Sequence, residues 1–219
     1  MPFAMAHLII ADNLSEILAE HIDSLPQFYL GSIAPDAVHN RADYISEWKK
    51  DSHLIVSDEK WGMITKTDEW KINVINFLNK NKNSENHDFI LGYCSHILAD
   101  LYNNMTVYLP FKTKYPDEAV KGYGSLYHQE SNKIDIELAL THKNKDKFCE
   151  YLEKSQSVDL PGMVYAAEID MQKVNILDLW YKDKNRQDIS SNKFMTYENT
   201  MDFIKNATDF IAVNFQENL

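Results

Sequence analysis

Hydrophobic residues recur at helical spacing in two segments near the middle of the chain. Residues 68–80 carry one apolar face, and a second amphipathic segment is expected to begin near Ser84 or Asn86, either of which can cap a helix. The polar stretch 79–86, rich in Asn and Lys, predicts the end of the first helix. The apolar positions are Trp70, Val74, Phe77 and Leu78 in the first segment and Phe89, Tyr93, Ile97 and Leu101 in the second.

The same periodicity predicts helices through the second half of the chain. The expected helices are 117–141 with a break near Gly122 and Gly124, then 146–154, 161–180, and a C-terminal amphipathic helix marked by Phe203, Ile204, Ala207, Phe210 and Ile211. Pro110 and Pro116 are expected to bracket an irregular loop, and residues 182–192 a long surface loop. Strand-like alternation is absent over any useful length, so the predicted fold class is all-α.

Composition supports a helical globular protein. The 219 residues contain only six Gly and six Pro, fewer than the many tight turns of a β-sandwich or barrel would need. This length fits one domain or two small ones. No repeat, low-complexity segment or clear linker divides the chain, so we expect a single domain over residues 1–219.

The charge balance and the apolar runs limit the possible partners and location. Acidic residues outnumber basic ones by 33 to 22, a net charge of -11, which argues against a broad grip on nucleic acid but allows nucleic acid as a substrate at a metal-filled site. The two cysteines give no disulfide framework, and Cys94 is expected to be a buried thiol. No apolar run approaches a membrane span and the first residues lack a basic signal region, so a cytoplasmic protein is expected. No feature specifies an oligomeric state.

The pair His96 and Asp100 is the strongest candidate for chemistry. Residues four apart on a helix lie about 5–6 Å apart at Cβ, so an imidazole and a carboxylate could reach one cation. Gly92, one turn earlier, leaves no side chain to crowd that face, and Asn103 and Asn104 continue the polar stripe. A surface His–Asp pair is the alternative interpretation of the same spacing.

Three further residues could complete a metal site. His7 stands in an apolar stretch where a polar residue needs a partner, although a hydrogen-bonded core histidine would fit equally well. Asp36 follows Pro35 in a small-residue segment that could approach another backbone closely, or it could cap a helix. His53 lies where a loop meets an apolar stretch. Three His and two Asp suit zinc or a similar divalent ion, and adjacent ions can promote displacement at phosphorus.

These residues lie in motifs that resemble the zinc-dependent phospholipase C family. The motifs are His7, the segment 28–37 (FYLGSIAPDA), the segment 51–54 (DSHL) and the segment 92–100 (GYCSHILAD). That family shares its fold with fungal zinc-dependent nucleases that act on single strands. The resemblance implies a helical domain of this type that binds one to three Zn²⁺ ions, with other divalent metals possible.

The resemblance also implies roles for individual residues. Asp36, His53, His96 and Asp100 resemble the ligands of one ion, and Asp100 would bridge to a second ion that His7 also holds. Asp36 and Asp100 are the implied catalytic carboxylates. Water between the ions would attack a phosphodiester of a small-molecule or lipid substrate, which makes the implied activity that of a phospholipase C-like phosphoesterase.

Two positions depart from the family pattern. Secreted members use the N-terminal amine of a Trp as a zinc ligand, whereas here six residues from Met1 onward precede His7. The remaining ion uses an HxxxE or HxxxD pair, but the sequence after His128 places Asn132 at the carboxylate position. Asp135 and Glu130 are nearby candidates to replace it, and Asn132 and Asp135 form an i, i+3 pair that could face the cleft with His128.

Other interpretations stay open at this stage. Arg41, with Asn40, and Asn104 are candidates to contact a substrate phosphate, since the fork of Arg donors suits one; a solvated loop Arg is the alternative. A helical HD-type phosphohydrolase would instead use the doublet His87-Asp88 with His53 and Asp135, although Asp near a helix start is also favoured by the helix dipole. A non-catalytic helical protein with a structural metal is the third possibility.

Overall fold

The computed structural model describes residues 3–55, 57–59 and 63–219, and within these ranges the chain is helical. The described residues form no β-strand, only an isolated bridge between Leu160 and Val164, which confirms the all-α prediction. The helices are α1 (Ala4–Ile17), α2 (Leu25–Gly31), α3 (Ser46–Ser52), α4 (Thr67–Lys80), α5 (His87–Asn103), α6 (Leu109–Lys114), α7 (Pro116–Ala119), α8 (Leu126–Thr141), α9 (Lys145–Lys154), α10 (Ala166–Val174) and α11 (Tyr197–Gln216).

Helix α5 is the central element of the fold. Its residues from Phe89 to Leu101 are all buried, and it packs against α1, α2, α4 and α11. A helix that is apolar on nearly every side can bury all of its sides only when other helices surround it. The buried side chains that join these helices form one cluster that draws residues from Ala4 to Phe215.

Two glycines allow α2 and α5 to cross with their backbones in contact. A Cβ atom on Gly92 would lie 2.0 Å from the carbonyl oxygen of Phe28, and one on Gly31 would lie 2.0 Å from that of Phe89. The prediction that the segment after Gly31 approaches another backbone closely is confirmed. Gly92 faces α2 and serves helix packing, and its expected role in keeping the face of His96 uncrowded stays a prediction.

Most predicted helices agree with the structure. The helices expected at 68–80, near Asn86, at 146–154 and at the C-terminus correspond to α4, α5, α9 and α11. The expected break near Gly122 is also found, since a short 3-10 turn separates α7 from α8 and Gly122 has a φ of 55°, the left-handed region that favours glycine. Cys94 is a buried free thiol, as expected.

One loop and one helix start were predicted wrongly beside prolines. The loop expected between Pro110 and Pro116 is helical, because both prolines lie in the first turns of α6 and α7, where the missing N–H has no helical partner to lose. The helix expected to start at Pro161 begins instead at Ala166 and continues into a π-helical turn, Asn175–Trp180.

No helix among the described residues has both the length and the hydrophobicity that a membrane span requires. A second, smaller apolar cluster lies beside the main core and contains Phe111, Ala119, Tyr127 and Met195.

We propose that residues 1–219 form a single domain.

Candidate metal centre

Four elements bring the five predicted ligands together. Helix α1 carries His7, a 3-10 helix, Ala34–Asn40, carries Asp36, and His53 is the residue that ends α3. Helix α5 supplies His96 and Asp100 from adjacent turns of one face. The crossing of α2 and α5 fixes this arrangement, since the segment with Asp36 follows α2 directly.

Asp100 lies between two histidines, with one oxygen toward each. Its Oδ1 is 3.6 Å from Nε2 of His7, and its Oδ2 is 3.4 Å from Nε2 of His53. Side-chain exposure is 1% for His7, 0% for His53 and 1% for Asp100. The two oxygens of one buried carboxylate therefore point at separate ligand atoms, the arrangement of a bridging ligand.

Asp36 closes the other side of the cluster. Its Oδ1 is 3.5 Å from Nε2 of His53 and its Oδ2 is 3.9 Å from Nε2 of His96. The rings of His7 and His96 stack with centroids 3.6 Å apart. Asp36 is the most accessible of the five, at 18% exposure, so the cluster opens toward solvent on this side.

Backbone carbonyls orient two of the imidazoles. The Nδ1 atom of His96 is 2.8 Å from the carbonyl oxygen of Ser32, and that of His53 is 3.0 Å from the carbonyl oxygen of Lys49. A carbonyl oxygen only accepts, so in the bond to Ser32 Nδ1 of His96 carries the proton and its Nε2 keeps its lone pair for a metal. Nδ1 of His53 also lies 2.8 Å from the hydroxyl oxygen of Ser52. Metal-binding histidines are commonly held in this way.

The buried polar atoms of the cluster lack ordinary hydrogen-bond partners. Within the described ranges, no hydrogen bond reaches five buried atoms: both ring nitrogens of His7, Nε2 of His96 and both oxygens of Asp100. Such atoms are costly unless a cation binds them. Two groups could each hold an ion, with ligand atoms within 4.8 Å of one another: one is His7, His96 and Asp100, the other Asp36, His53 and His96.

The protonation states also suit metal binding. Burial lowers the pKa of His96 well below its ordinary value, and the neighbouring His7 lowers it further, so the imidazole is neutral near pH 7. Burial works to raise the pKa of Asp36, but the charge of Lys49 and the contacts with His39 and His53 together outweigh it and hold that pKa well below its usual range. Burial opposes a low pKa of Asp100 as well, yet contacts with His53 and His7 lower it. Neutral imidazoles and ionised carboxylates are the forms that bind metals.

Two residues beside Asp36 could not be found from the sequence. Nζ of Lys49 is 2.5 Å from Oδ1 of Asp36 and 3.3 Å from Nε2 of His39, and the lysine side chain is only 3% exposed. Nε2 of His39 is itself 3.6 Å from Oδ1 of Asp36. The doublet Lys49-Lys50 is typical of a solvated helix face, and no spacing distinguishes the buried lysine from its neighbour.

His128, the candidate ligand of an altered or absent third site, belongs to no potential metal group among the described residues. Nδ1 of His128 is 2.9 Å from Oγ of Ser125, and burial lowers the pKa of His128 to about 4. Asp135 accepts hydrogen bonds from the amides of Met5 and Ala6 and from the hydroxyl of Tyr181. The structure therefore gives Asp135 a role in capping α1 and does not bring it together with His128.

Glu130 and Asn132 do not complete that site either. The carboxylate of Glu130 accepts from the amides of Lys193, Phe194 and Met195. Asn132 and Asp135 line a separate cavity of about 480 Å³ beside Trp180 and Tyr181, and His128 is not part of its lining. A cleft shared by this i, i+3 pair and His128 stays a prediction.

The candidate phosphate contacts have structural partners. Arg41 pairs with Glu168 through Nε at 2.5 Å and Nη2 at 3.1 Å, and Nη2 also donates to the carbonyl of Met163. Asn40 donates to the carbonyl of Glu168, so both residues join the 3-10 helix to α10. Nδ2 of Asn104 donates to the carbonyl of Ile64 at 2.8 Å.

The doublet His87-Asp88 lies away from the cluster. His87 is the first residue of α5, nine residues before His96, which is about 13 Å along a helix. Asp88 accepts hydrogen bonds from the amides of Asp23 and Ser24. Neither residue belongs to a potential metal group among the described residues, so the geometry does not favour the HD-type interpretation.

The fold and this cluster define an all-helical protein with buried His and Asp groups that could hold a metal ion. More particularly, residues 1–102 match the model of the family described as zinc dependent phospholipase C. The resemblance seen in the sequence is thereby confirmed for this part of the chain, which contains all five cluster residues. No curated protein and no solved structure matches the chain. Met1, on which the comparison with the N-terminal ligand of secreted members depends, lies outside the described residues.

Proposed function

We propose that this protein is a zinc-dependent hydrolase of phosphodiesters, with His7, Asp36, His53, His96 and Asp100 as its metal ligands. The observation that carries the proposal is Asp100: a buried carboxylate with no hydrogen-bond donor, placed 3.4 Å from His53 and 3.6 Å from His7. The family match over residues 1–102 supports zinc as the metal and a phosphoester as the substrate class.

The five residues suit two unequal positions for metal. Asp36, His53, His96 and Oδ2 of Asp100 would hold one ion with four protein ligands, which is a closed set for zinc. His7 and Oδ1 of Asp100 would hold a second ion with only two protein ligands, leaving positions open for water and substrate. Bound zinc would supply a Lewis acid for a phosphoryl oxygen and would favour ionised water near neutral pH.

The protein residues provide orientation and access. Asp100 fixes the spacing of the two positions because one rigid carboxylate faces both. The carbonyls of Ser32 and Lys49 keep the Nε2 atoms of His96 and His53 directed inward. Substrate would enter at Asp36 and His39, whose side chains are 18% and 30% exposed. The proposed substrate is a small-molecule or lipid phosphodiester. Nucleic acid is a possible partner only as a substrate.

Hydrolysis of a chromogenic diester tests the proposal. We expect zinc-loaded wild type to release nitrophenol from bis(p-nitrophenyl) phosphate, and Asp100→Asn to lose about 100-fold or more in kcat/KM, since it loses the bridging charge. Asp88→Asn is the matched control, because it removes an acidic group from the same helix outside the cluster. Zinc-loaded wild type that hydrolyses neither diesters nor monoesters would point to a non-catalytic metal-binding protein.

A further inference from the structure

A buried lysine ammonium occupies the edge of the proposed metal cluster. Lys49 reaches from α3 so that Nζ contacts Oδ1 of Asp36 at 2.5 Å and Nε2 of His39 at 3.3 Å. The side chain is 3% exposed, so this is no ordinary surface ion pair. Lysine is rarely buried to this degree unless it is paired.

The ammonium group changes the charge that the cluster presents to a metal. Asp36 and Asp100 contribute two negative charges, and Lys49 adds one positive charge within hydrogen-bond distance of Asp36. A divalent ion on the same carboxylate would lie within a few ångströms of that ammonium, in a site largely shielded from solvent. The two cations therefore compete for one carboxylate.

We propose that Lys49 is a built-in counter-ion of the metal cluster: it stabilises Asp36 in the metal-free protein and weakens the binding of zinc at the Asp36 side. This proposal rests on the metal site of the proposed function. Oδ1 of Asp36 already accepts from the lysine, so a metal bound to this carboxylate would share its charge with the ammonium group. Zinc affinity is thereby held below the value that the five ligands alone would reach.

The side chain of Lys49 can be tested separately from its backbone. The bond from Nδ1 of His53 uses the main-chain carbonyl of residue 49, so Lys49→Met keeps that contact while removing the charge. Lys50→Met is the matched control, because Lys50 lies on the same helix and its Nζ donates to the carbonyl of Ser57 instead of to the cluster.

Two measurements on the full chain carry the test. Zinc affinity is measured by competition with a chromogenic chelator, and thermal unfolding is followed in excess EDTA. For Lys49→Met we expect zinc to bind about tenfold or more tighter than in wild type, because a nearby like charge is gone. In EDTA the same variant should melt about 5 °C or more below wild type, because Asp36 loses its partner. Lys50→Met should match wild type in both.

Each result separates this inference from the function itself. If wild type binds zinc and Lys49→Met binds it equally or less tightly, Lys49 is not a competitor and the inference is overturned while the hydrolase proposal stands. An unchanged melting temperature in EDTA overturns it as well. If wild type binds no zinc after reconstitution, both proposals fall.

Discussion

At the residue scale, three buried aspartates differ in their hydrogen-bond partners, and this difference explains why only one of them needs a cation. Asp12 accepts hydrogen bonds from Tyr29, Asn144 and Lys147. Asp135 accepts from two backbone amides and a tyrosine hydroxyl. Asp100 has no hydrogen-bond donor among the described residues and faces imidazole nitrogens. A buried carboxylate that the protein leaves unpaired needs a positive charge from elsewhere.

Asp12 gives a test of stability that does not involve the metal. Burial works to raise its pKa, but hydrogen bonds from Lys147, Tyr29 and Asn144 outweigh burial and lower it. We expect Asp12→Asn to reduce the free energy of unfolding by about 1–3 kcal/mol at pH 7 in urea titrations. Because the native pKa lies below the unfolded value of about 4, this contribution exists above that pH and is lost as pH falls further.

The control for this prediction is Glu16→Gln, on the exposed side of the same helix. It should leave the free energy of unfolding within about 0.5 kcal/mol of wild type. If Asp12→Asn were as stable as wild type at pH 7, or if its deficit persisted below pH 3, the buried ion pair would not be the source of the effect.

The candidate ligands could be identified from the sequence, whereas the residues that contact them could not. His96 and Asp100 share a helix, so their spacing alone predicts a shared face. Lys49 on α3 contacts Asp36 in the preceding 3-10 helix, and no helical periodicity predicts a contact between two separate helices. Arg41 was a candidate phosphate contact because of its fork of donors. Its partner Glu168 is distant in sequence, so only the tertiary structure brings the two together.

At the scale of elements, the crossing of α2 and α5 determines the position of the candidate metal cluster. Ser32, just after α2, orients His96 on α5 through its carbonyl, and Asp36 follows within one turn of 3-10 helix. A shift of either helix would therefore move a ligand on each side. Gly31 and Gly92 make this contact possible, since neither position has room for a Cβ atom.

Gly92→Ala should disturb both the fold and the cluster. The added Cβ would lie 2.0 Å from the carbonyl oxygen of Phe28, which is backbone and cannot rotate away. We expect a loss of about 3 kcal/mol or more in the free energy of unfolding, as in other severe core overpacking. Chemical denaturation measures the stability, and zinc affinity should fall in the same variant because the helices separate.

Gly124→Ala is the matched control, because the nearest atom to its added Cβ is 4.0 Å away, on Lys121. This variant should change stability by less than about 1 kcal/mol. Equal losses in the two variants would show that glycine replacement in general, and not the helix crossing, causes the effect.

Helix types were predictable from the sequence where periodicity was long, and boundaries failed where proline was involved. The amphipathic patterns of α4 and α11 extend over several turns and needed no tertiary information. Pro110 and Pro116 look the same in a loop and in a first helical turn, so the sequence could not distinguish these cases. The close approach at Gly92 depends on a partner helix more than 60 residues earlier in the chain.

For the whole molecule, the part of the chain that matches the family model also contains the candidate site. All five cluster residues lie within the matched residues 1–102. The later part of the chain supports them from outside: Asp135 on α8 caps the helix that carries His7, and Glu168 on α10 holds the segment after Asp36 through Arg41. Among the described residues after 102, none belongs to a potential metal group, so no third ion site is found there.

Zinc content measured by elemental analysis tests the central claim most directly. Tag-free wild type, reconstituted with zinc and freed of excess, would be compared with His96→Ala and with His87→Ala, which removes a histidine from the same helix outside the cluster. The account predicts at least one zinc per chain in wild type and in His87→Ala, and loss of that zinc in His96→Ala, because Nε2 of His96 belongs to both potential metal groups. Wild type that holds no zinc, or a His96→Ala variant that holds as much as wild type, would contradict it.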